Sequence, residues 1–177
     1  MLTRAGRNPP ATRRAAAGFS LIELMVTVAV LAVGLSLAAP TLSKQIANYR
    51  VRSAAEGVIN GLNQARAEAV RRNANVSFTL ESGGGAGWAI ALVSTAATLQ
   101  SKASGETPGV TATSSTTSRA VTFTSTGMVD SSGTRLTQVA VASSVADAET
   151  RRIDIFGGGL IRVCDPSVAT AGDPRKC

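Results

Sequence analysis

The alternation of apolar and polar positions changes character three times along the chain. Residues 24–39, LMVTVAVLAVGLSLAA, carry no charge and are apolar on every side. From Phe19 to Pro40 the chain would extend about 33 Å as a helix, enough for the hydrocarbon core of a bilayer. After Pro40 the apolar residues become periodic. Val51, Ala55, Val58, Leu62, Ala65 and Ala69 recur at steps of three and four, and Ile59 widens the stripe. Arg52, Glu56, Asn63, Glu68, Arg71 and Arg72 fall mostly off it. That is one face of an amphipathic helix. The pattern predicts one long helix over about residues 20–72, apolar all round in its first half and one-faced in its second. Pro40, which lacks an N–H, is expected to kink it or open it locally. The helix should end near Arg72 and Asn73, where cations suit its C-terminal end.

Beyond Asn73 the period falls to two. Val76, Phe78 and Leu80 alternate with polar residues, as do Trp88, Ile90 and Leu92, with Gly83-Gly84-Gly85-Ala86-Gly87 between them. This reads as a β-hairpin with a loose loop. A phosphate-cradling role for the glycines is disfavoured, because no Lys-Ser/Thr and no helix start follow them. Residues 94–118 are mostly Ser, Thr, Ala and Gly and offer little to bury, which predicts a long exposed loop or a weak edge strand. Strand patterns return at Arg119–Ser125, Leu136–Ala142, Arg151–Phe156 and Leu160–Cys164. The expected head is a mostly antiparallel sheet of about five to seven strands, packed on the apolar stripe of the helix, an α+β fold.

Composition sharpens this picture. A chain of 177 residues suits one modest domain plus one extra element. Aromatic residues are only 3%, so any core must be built from Ala, Val, Ile and Leu. Of the formal net charge of +7, four units come from Arg4, Arg7, Arg13 and Arg14, so the chain beyond residue 18 carries +3. The high pI therefore overstates any affinity for nucleic acid. The absence of His removes Ser-His-Asp and Cys-His catalysis and most zinc sites. The spacing of acidic residues picks out no acid–base dyad, and no nucleophile motif or metal cluster is present. No enzyme activity, cofactor or metal is expected. Cys164 and Cys177, an even pair in a chain that reads as exported, are expected to form a disulfide closing a C-terminal loop.

The basic stretch before the apolar run places the N-terminus in the cytoplasm and sends the rest outward. An ordinary secretory signal peptide cut near Ala38 or Ala39 is the alternative. Two features oppose it. The run is longer than a usual signal core of ~7–15 residues. A carboxylate, Glu23, stands at its entrance, where burial costs ~2.5–3.5 kcal/mol on insertion scales.

Gly18-Phe19-Ser20-Leu21-Ile22-Glu23-Leu24 resembles the prepilin peptidase motif of type IV pilins and type II secretion pseudopilins. The small residue, the Phe and the Glu four positions on all match, and Gly34 and Pro40 in the apolar helix fit as well. The segment QARAEAVRRN at 64–73 resembles the GspH/FimT group in particular. The resemblance implies a pilin-like fold divided into a cleaved leader at 1–18, a membrane or filament-core helix at 19–40, an amphipathic half at 41–73 and a β-rich head at 74–177. It implies cleavage by the prepilin peptidase between Gly18 and Phe19, with N-methylation of Phe19. It also implies that Glu23 pairs with the Phe19 amine of a neighbouring subunit, setting the register of an assembled filament. The expected partners are that peptidase, the inner membrane and other pilins or pseudopilins, with the head in the periplasm. The expected role is a minor pilin that assembles or primes a type IV pilus and serves twitching or DNA uptake; a minor pseudopilin of a type II secretion system is the alternative.

Some FimT-type minor pilins bind DNA through a basic G-R-x-R motif. The matching stretch here is Gly159-Leu160-Ile161-Arg162, which keeps the second Arg and has Leu160 in place of the first. Arg151, Arg152, Arg175 and Lys176 are further candidate phosphate contacts for weak DNA binding. Asp154, Asp165 and Asp173 dilute that patch, and no aromatic platform for stacking bases accompanies it. A solvated basic surface accounts for these residues better than a DNA site does.

Overall fold

The computed structural model describes residues 18–177, omitting the side chains of Leu37, Ala38 and Pro40. Arg4, Arg7, Arg13 and Arg14, in the expected leader, lie outside the described residues. One helix, α1, runs from Leu21 to Arg72. Ser20 starts it: its Oγ accepts the Glu23 N–H at 3.2 Å, an N-cap contact three residues into the helix. Asn73 ends it in a left-handed conformation, with φ of 50°. The Asn73 N–H bonds to the Val70 carbonyl and the Ala74 N–H to the Ala69 carbonyl, the paired bonds of a Schellman motif. Glu68 bridges to Arg71 and Arg72, one turn toward the C-terminus, at 2.6 Å each.

The chain divides into two compact units, Met1–Ala39 and Pro40–Cys177. In the first, the apolar side chains of α1 are exposed on every side: Leu21, Ile22, Leu24, Met25, Val28 and Leu31 are all more than half exposed. Among the described residues no single helix is long and apolar enough to cross a membrane, whereas Leu21–Ser36 and Thr41–Arg72 meet the length and hydropathy requirement as a pair.

In the second unit the stripe is buried as its spacing predicts. Val51, Ala55, Val58, Leu62, Ala65 and Ala69 are all buried, joined by Ala47 and Ala54. They face eight strands in two antiparallel sheets. The strands are β1 (Val76–Leu80), β2 (Trp88–Leu92), β3 (Thr98–Lys102), β4 (Val110–Ser114), β5 (Ala120–Phe123), β6 (Gln138–Ser143), β7 (Arg151–Ile155) and β8 (Ile161–Cys164). One sheet has the order β3-β2-β1-β5, the other β4-β6-β7-β8. The β1–β2 hairpin pairs Val76 with Leu92 and Leu80 with Trp88. Phe78, Ile90, Phe123, Leu136, Val139 and Ile153 complete a single core with the helix stripe.

The strand count and the single sheet expected from sequence are corrected. Residues 94–118 hold two strands, β3 and β4, each at the edge of its sheet, joined through a short 3-10 turn at Ser104–Glu106. The period-two pattern is present in β4, with Val110 and Ala112 buried between exposed Thr111 and Thr113. Its apolar members are too small to stand out by hydropathy. By switching sheets between β3 and β4, between β4 and β5 and again between β5 and β6, the chain builds two four-stranded layers rather than one.

Candidate functional site

The functional candidates fall into two groups, one in each unit. In the first, Ser20 sits at the N-cap and Glu23 at the third helical position, the spacing of a capping box. The same stretch that resembles the prepilin peptidase cleavage motif therefore also begins the helix. Phe19 is 84% exposed. Among the described residues no cation forms an ion pair with Glu23. The arrangement is a carboxylate at the mouth of a bare apolar helix. Burying that charged carboxylate without a compensating partner would be costly.

In the second unit the C-terminal cations are already engaged. Arg151 and Arg152, neighbours on β7, point to opposite faces of the sheet. Arg151 Nη2 lies 2.7 Å from Glu149 and its Nη1 3.4 Å from Asp165. Arg152 pairs with Asp154 at 3.1 Å, and Gln138 Nε2 donates to the same carboxylate at 3.0 Å. Arg175 holds Asp173 at 2.8 Å. The Arg162 guanidinium donates to the Lys176 carbonyl, and Lys176 Nζ to the Ala169 carbonyl at 3.1 Å. Arg151, Arg152 and Arg175 are thus neutralised by carboxylates, which leaves a nearly charge-balanced surface in place of a basic patch.

Cys164 and Cys177 form a disulfide, with Cα atoms 5.0 Å apart. The loop it closes is also tied by the Asp165 N–H, which donates to the Arg175 carbonyl at 2.7 Å. Asp165 accepts from the Ser167 hydroxyl and N–H, which with Arg151 hold its carboxyl below the usual range.

One cluster escapes any reading of local sequence. Arg52, on α1, makes a two-pronged contact to Glu149 at 3.0 and 2.7 Å. Asn48, one helical turn earlier, accepts the Glu149 N–H at 2.8 Å. Glu149 is thereby clamped between the helix and Arg151. The Arg52 guanidinium, with Arg151 adding to it against the cost of burial, lowers its pKa to about 2. The partners lie 97 positions apart, so no motif could have paired them.

A family model described as type II transport protein GspH matches residues 54–159, and a prokaryotic N-terminal methylation motif matches residues 13–39. No curated protein matches the sequence at a significant level. Among solved structures the chain is similar to the type IV minor pilin FimU of Pseudomonas aeruginosa (strain PAO1) in two crystal forms. In space group P21 the match has a TM-score of 0.57 at 24% identity and covers 68% of this chain and 92% of that one. In P65 the TM-score is 0.53 at 24% identity, with coverage of 68% and 97%. At that identity the likeness establishes the fold: a long N-terminal helix with antiparallel sheets.

Proposed function

The chain belongs to the GspH family of type II transport proteins, structural subunits of the pilin and pseudopilin kind, and from that premise we propose that it is a minor pilin that assembles or primes a type IV pilus. The chain is inserted in the bacterial inner membrane by its apolar helix, with the head in the periplasm. The prepilin peptidase cuts between Gly18 and Phe19, and Phe19 is N-methylated. The mature subunit then joins other pilins through residues 19–40. The observation that carries this reading is the bare apolar helix with Glu23, which has no ion-pair partner among the described residues, at its mouth. Exposed apolar surface on this scale marks an interaction site. A carboxylate buried there needs a cation, and the Phe19 amine of a neighbouring subunit has the right charge.

A minor pseudopilin of a type II secretion system is the second reading, favoured by the description of the matching family. Deleting the gene separates the two. Loss of pili or twitching supports the first, and loss of exoprotein release with normal pili supports the second. A pilus DNA receptor is a weaker third reading, because three of the five candidate cations are held by carboxylates.

The direct test is Glu23→Ala. The variant should yield the same mature protein, starting at methylated Phe19, and be absent from filaments. Incorporation at the wild-type level would overturn the role of Glu23. A mature chain beginning near residue 40 would replace the whole reading with a secretory signal peptide.

A further inference from the structure

The second unit opens at Pro40, the residue that also closes the proposed membrane segment. Ser43, Ile46 and Arg50 follow it on one face of α1, at about 5, 9 and 15 Å along the helix. Helical side chains lean toward the N-terminal end, here toward the membrane segment. The headgroup layer of a bilayer is about 5–7 Å deep on each side. This face therefore emerges in the headgroups or just above them.

The face is one wall of a cleft of about 280 Å³, whose other wall is formed by Gly109 and residues 143–145. That second wall is braced on one acceptor. The Gly109 carbonyl takes the Ser144 N–H at 3.0 Å and the Ser143 hydroxyl at 3.2 Å. Arg50 Nη1 donates to the neighbouring Pro108 carbonyl at 3.3 Å, which ties the guanidinium to the same loop. The cleft is divided in its chemistry. Arg50 and the hydroxyls of Ser43, Ser143 and Ser144 make one half polar, and Ile46, Ala47 and Val145 make the other apolar. Ile46 and Val145 are 43% and 38% exposed.

The polar half has one sign of charge. Arg50 is the charged residue in the lining, and among the described residues it has no ion-pair partner. Glu106 and Asp147, in the loops that close the cleft, do not line it. The approach is cationic as well, since residues 24–55 carry Lys44, Arg50 and Arg52 and no acid. Arg52 is held by Glu149, which leaves Lys44 and Arg50 to act on a ligand.

We propose that this cleft binds the headgroup of an anionic phospholipid and so holds the head on the membrane surface before assembly. Arg50 meets the phosphodiester oxygens, which a guanidinium can take two at a time. Ile46 and Val145 cover the glycerol carbons, the part of the ligand a free phosphate lacks. The inference deepens the membrane-anchored reading and rests on it.

The test uses the full-length chain purified from the bacterium in detergent micelles, with native mass spectrometry counting the phospholipid molecules it retains. The micelles carry phosphatidylglycerol and phosphatidylcholine in equal amounts. The chain should retain phosphatidylglycerol about fivefold over phosphatidylcholine, the gain that one cation supplies at an anionic surface. Arg50→Gln and Val145→Asp should each abolish that preference, and Arg50→Lys, which keeps the charge, should preserve most of it. Equal retention of the two lipids, or a preference unchanged in Arg50→Gln, would overturn the inference. Displacement of the lipid by an equal concentration of glycerol 3-phosphate would overturn it too, by making the ligand a soluble phosphate. The N-terminus is read from the same preparation. A chain that starts at methylated Phe19 and shows no lipid preference removes the lipid site alone. A chain that starts near residue 40 removes the membrane-anchored reading and the lipid site with it.

Discussion

Two glycines one turn apart on α1 should respond to alanine with opposite signs. Gly61 is where the helix approaches the β1–β2 hairpin most closely. A Cβ there would meet Trp88 Cε2 at 2.8 Å and Phe78 Cε2 at 2.9 Å. Those rings are buried and pack against each other, with centroids 5.7 Å apart, so neither has room to retreat. Overpacking of this kind costs about 1–3 kcal/mol. Alanine recovers about 1 kcal/mol of helix propensity, leaving Gly61→Ala destabilised by up to about 2 kcal/mol. A Cβ on Gly57 would meet only the end of Lys102, with Nζ at 2.9 Å. That flexible side chain can swing into solvent, so Gly57→Ala should gain up to about 1 kcal/mol from propensity alone. The assay is thermal unfolding of the excised head, residues 40–177, where each kcal/mol moves Tm by about 4 °C. Gly61→Ala should lower Tm by up to about 8 °C and Gly57→Ala raise it by up to about 4 °C. Equal rises in both variants would refute the reasoning, because propensity would then govern both sites and the hairpin would yield at no cost.

Two further outcomes follow from the charged groups. The Arg52 contact lowers the Glu149 pKa from an ordinary 4.5 to about 2. A carboxyl lowered on folding contributes stability that is full above its unfolded pKa and is lost as pH falls through its folded value. Denaturant unfolding of the head should therefore weaken between about pH 4.5 and 2, and Glu149→Gln should be less stable at neutral pH with a flatter profile over that window. The near-balanced C-terminal charges predict no DNA binding that falls steeply with salt. Each true phosphate contact would add about −0.9 to the log–log salt slope. A slope of about −3 that drops by about one unit in Arg162→Ala would refute this and restore the DNA reading.

The helix was legible because its signals are local. The stripe from Val51 to Ala69 follows the helical period, and every member is buried. Ser20 and Glu23 mark the start, and Asn73 the stop, by hydrogen bonds that reach no further than five residues. The hairpin was equally plain, since Val76–Leu80 and Trp88–Leu92 alternate cleanly around a glycine run. β3 and β4 were obscured because their inward residues are few or small and hydropathy gives them little weight. The motif from Gly18 to Leu24 marked out the N-terminal candidates, because a resemblance to a cleavage motif and a helix start are both carried by short contiguous strings.

What the sequence determined alone, then, was the order and type of most elements and the apolar face each offers. Backbone geometry dictates those periods within a few residues. The tertiary structure decided which faces meet and what each charge does. It divided the strands into two sheets, made Gly61 the seat of Trp88, and set Arg52 against Glu149 across 97 positions. It also turned the apparent basic patch at Arg151, Arg152 and Arg175 into a set of ion pairs. The physical reason is the range of the interactions. Periodicity and capping act along the chain, whereas packing and charge pairing act across space between residues whose separation in sequence carries no information about their distance.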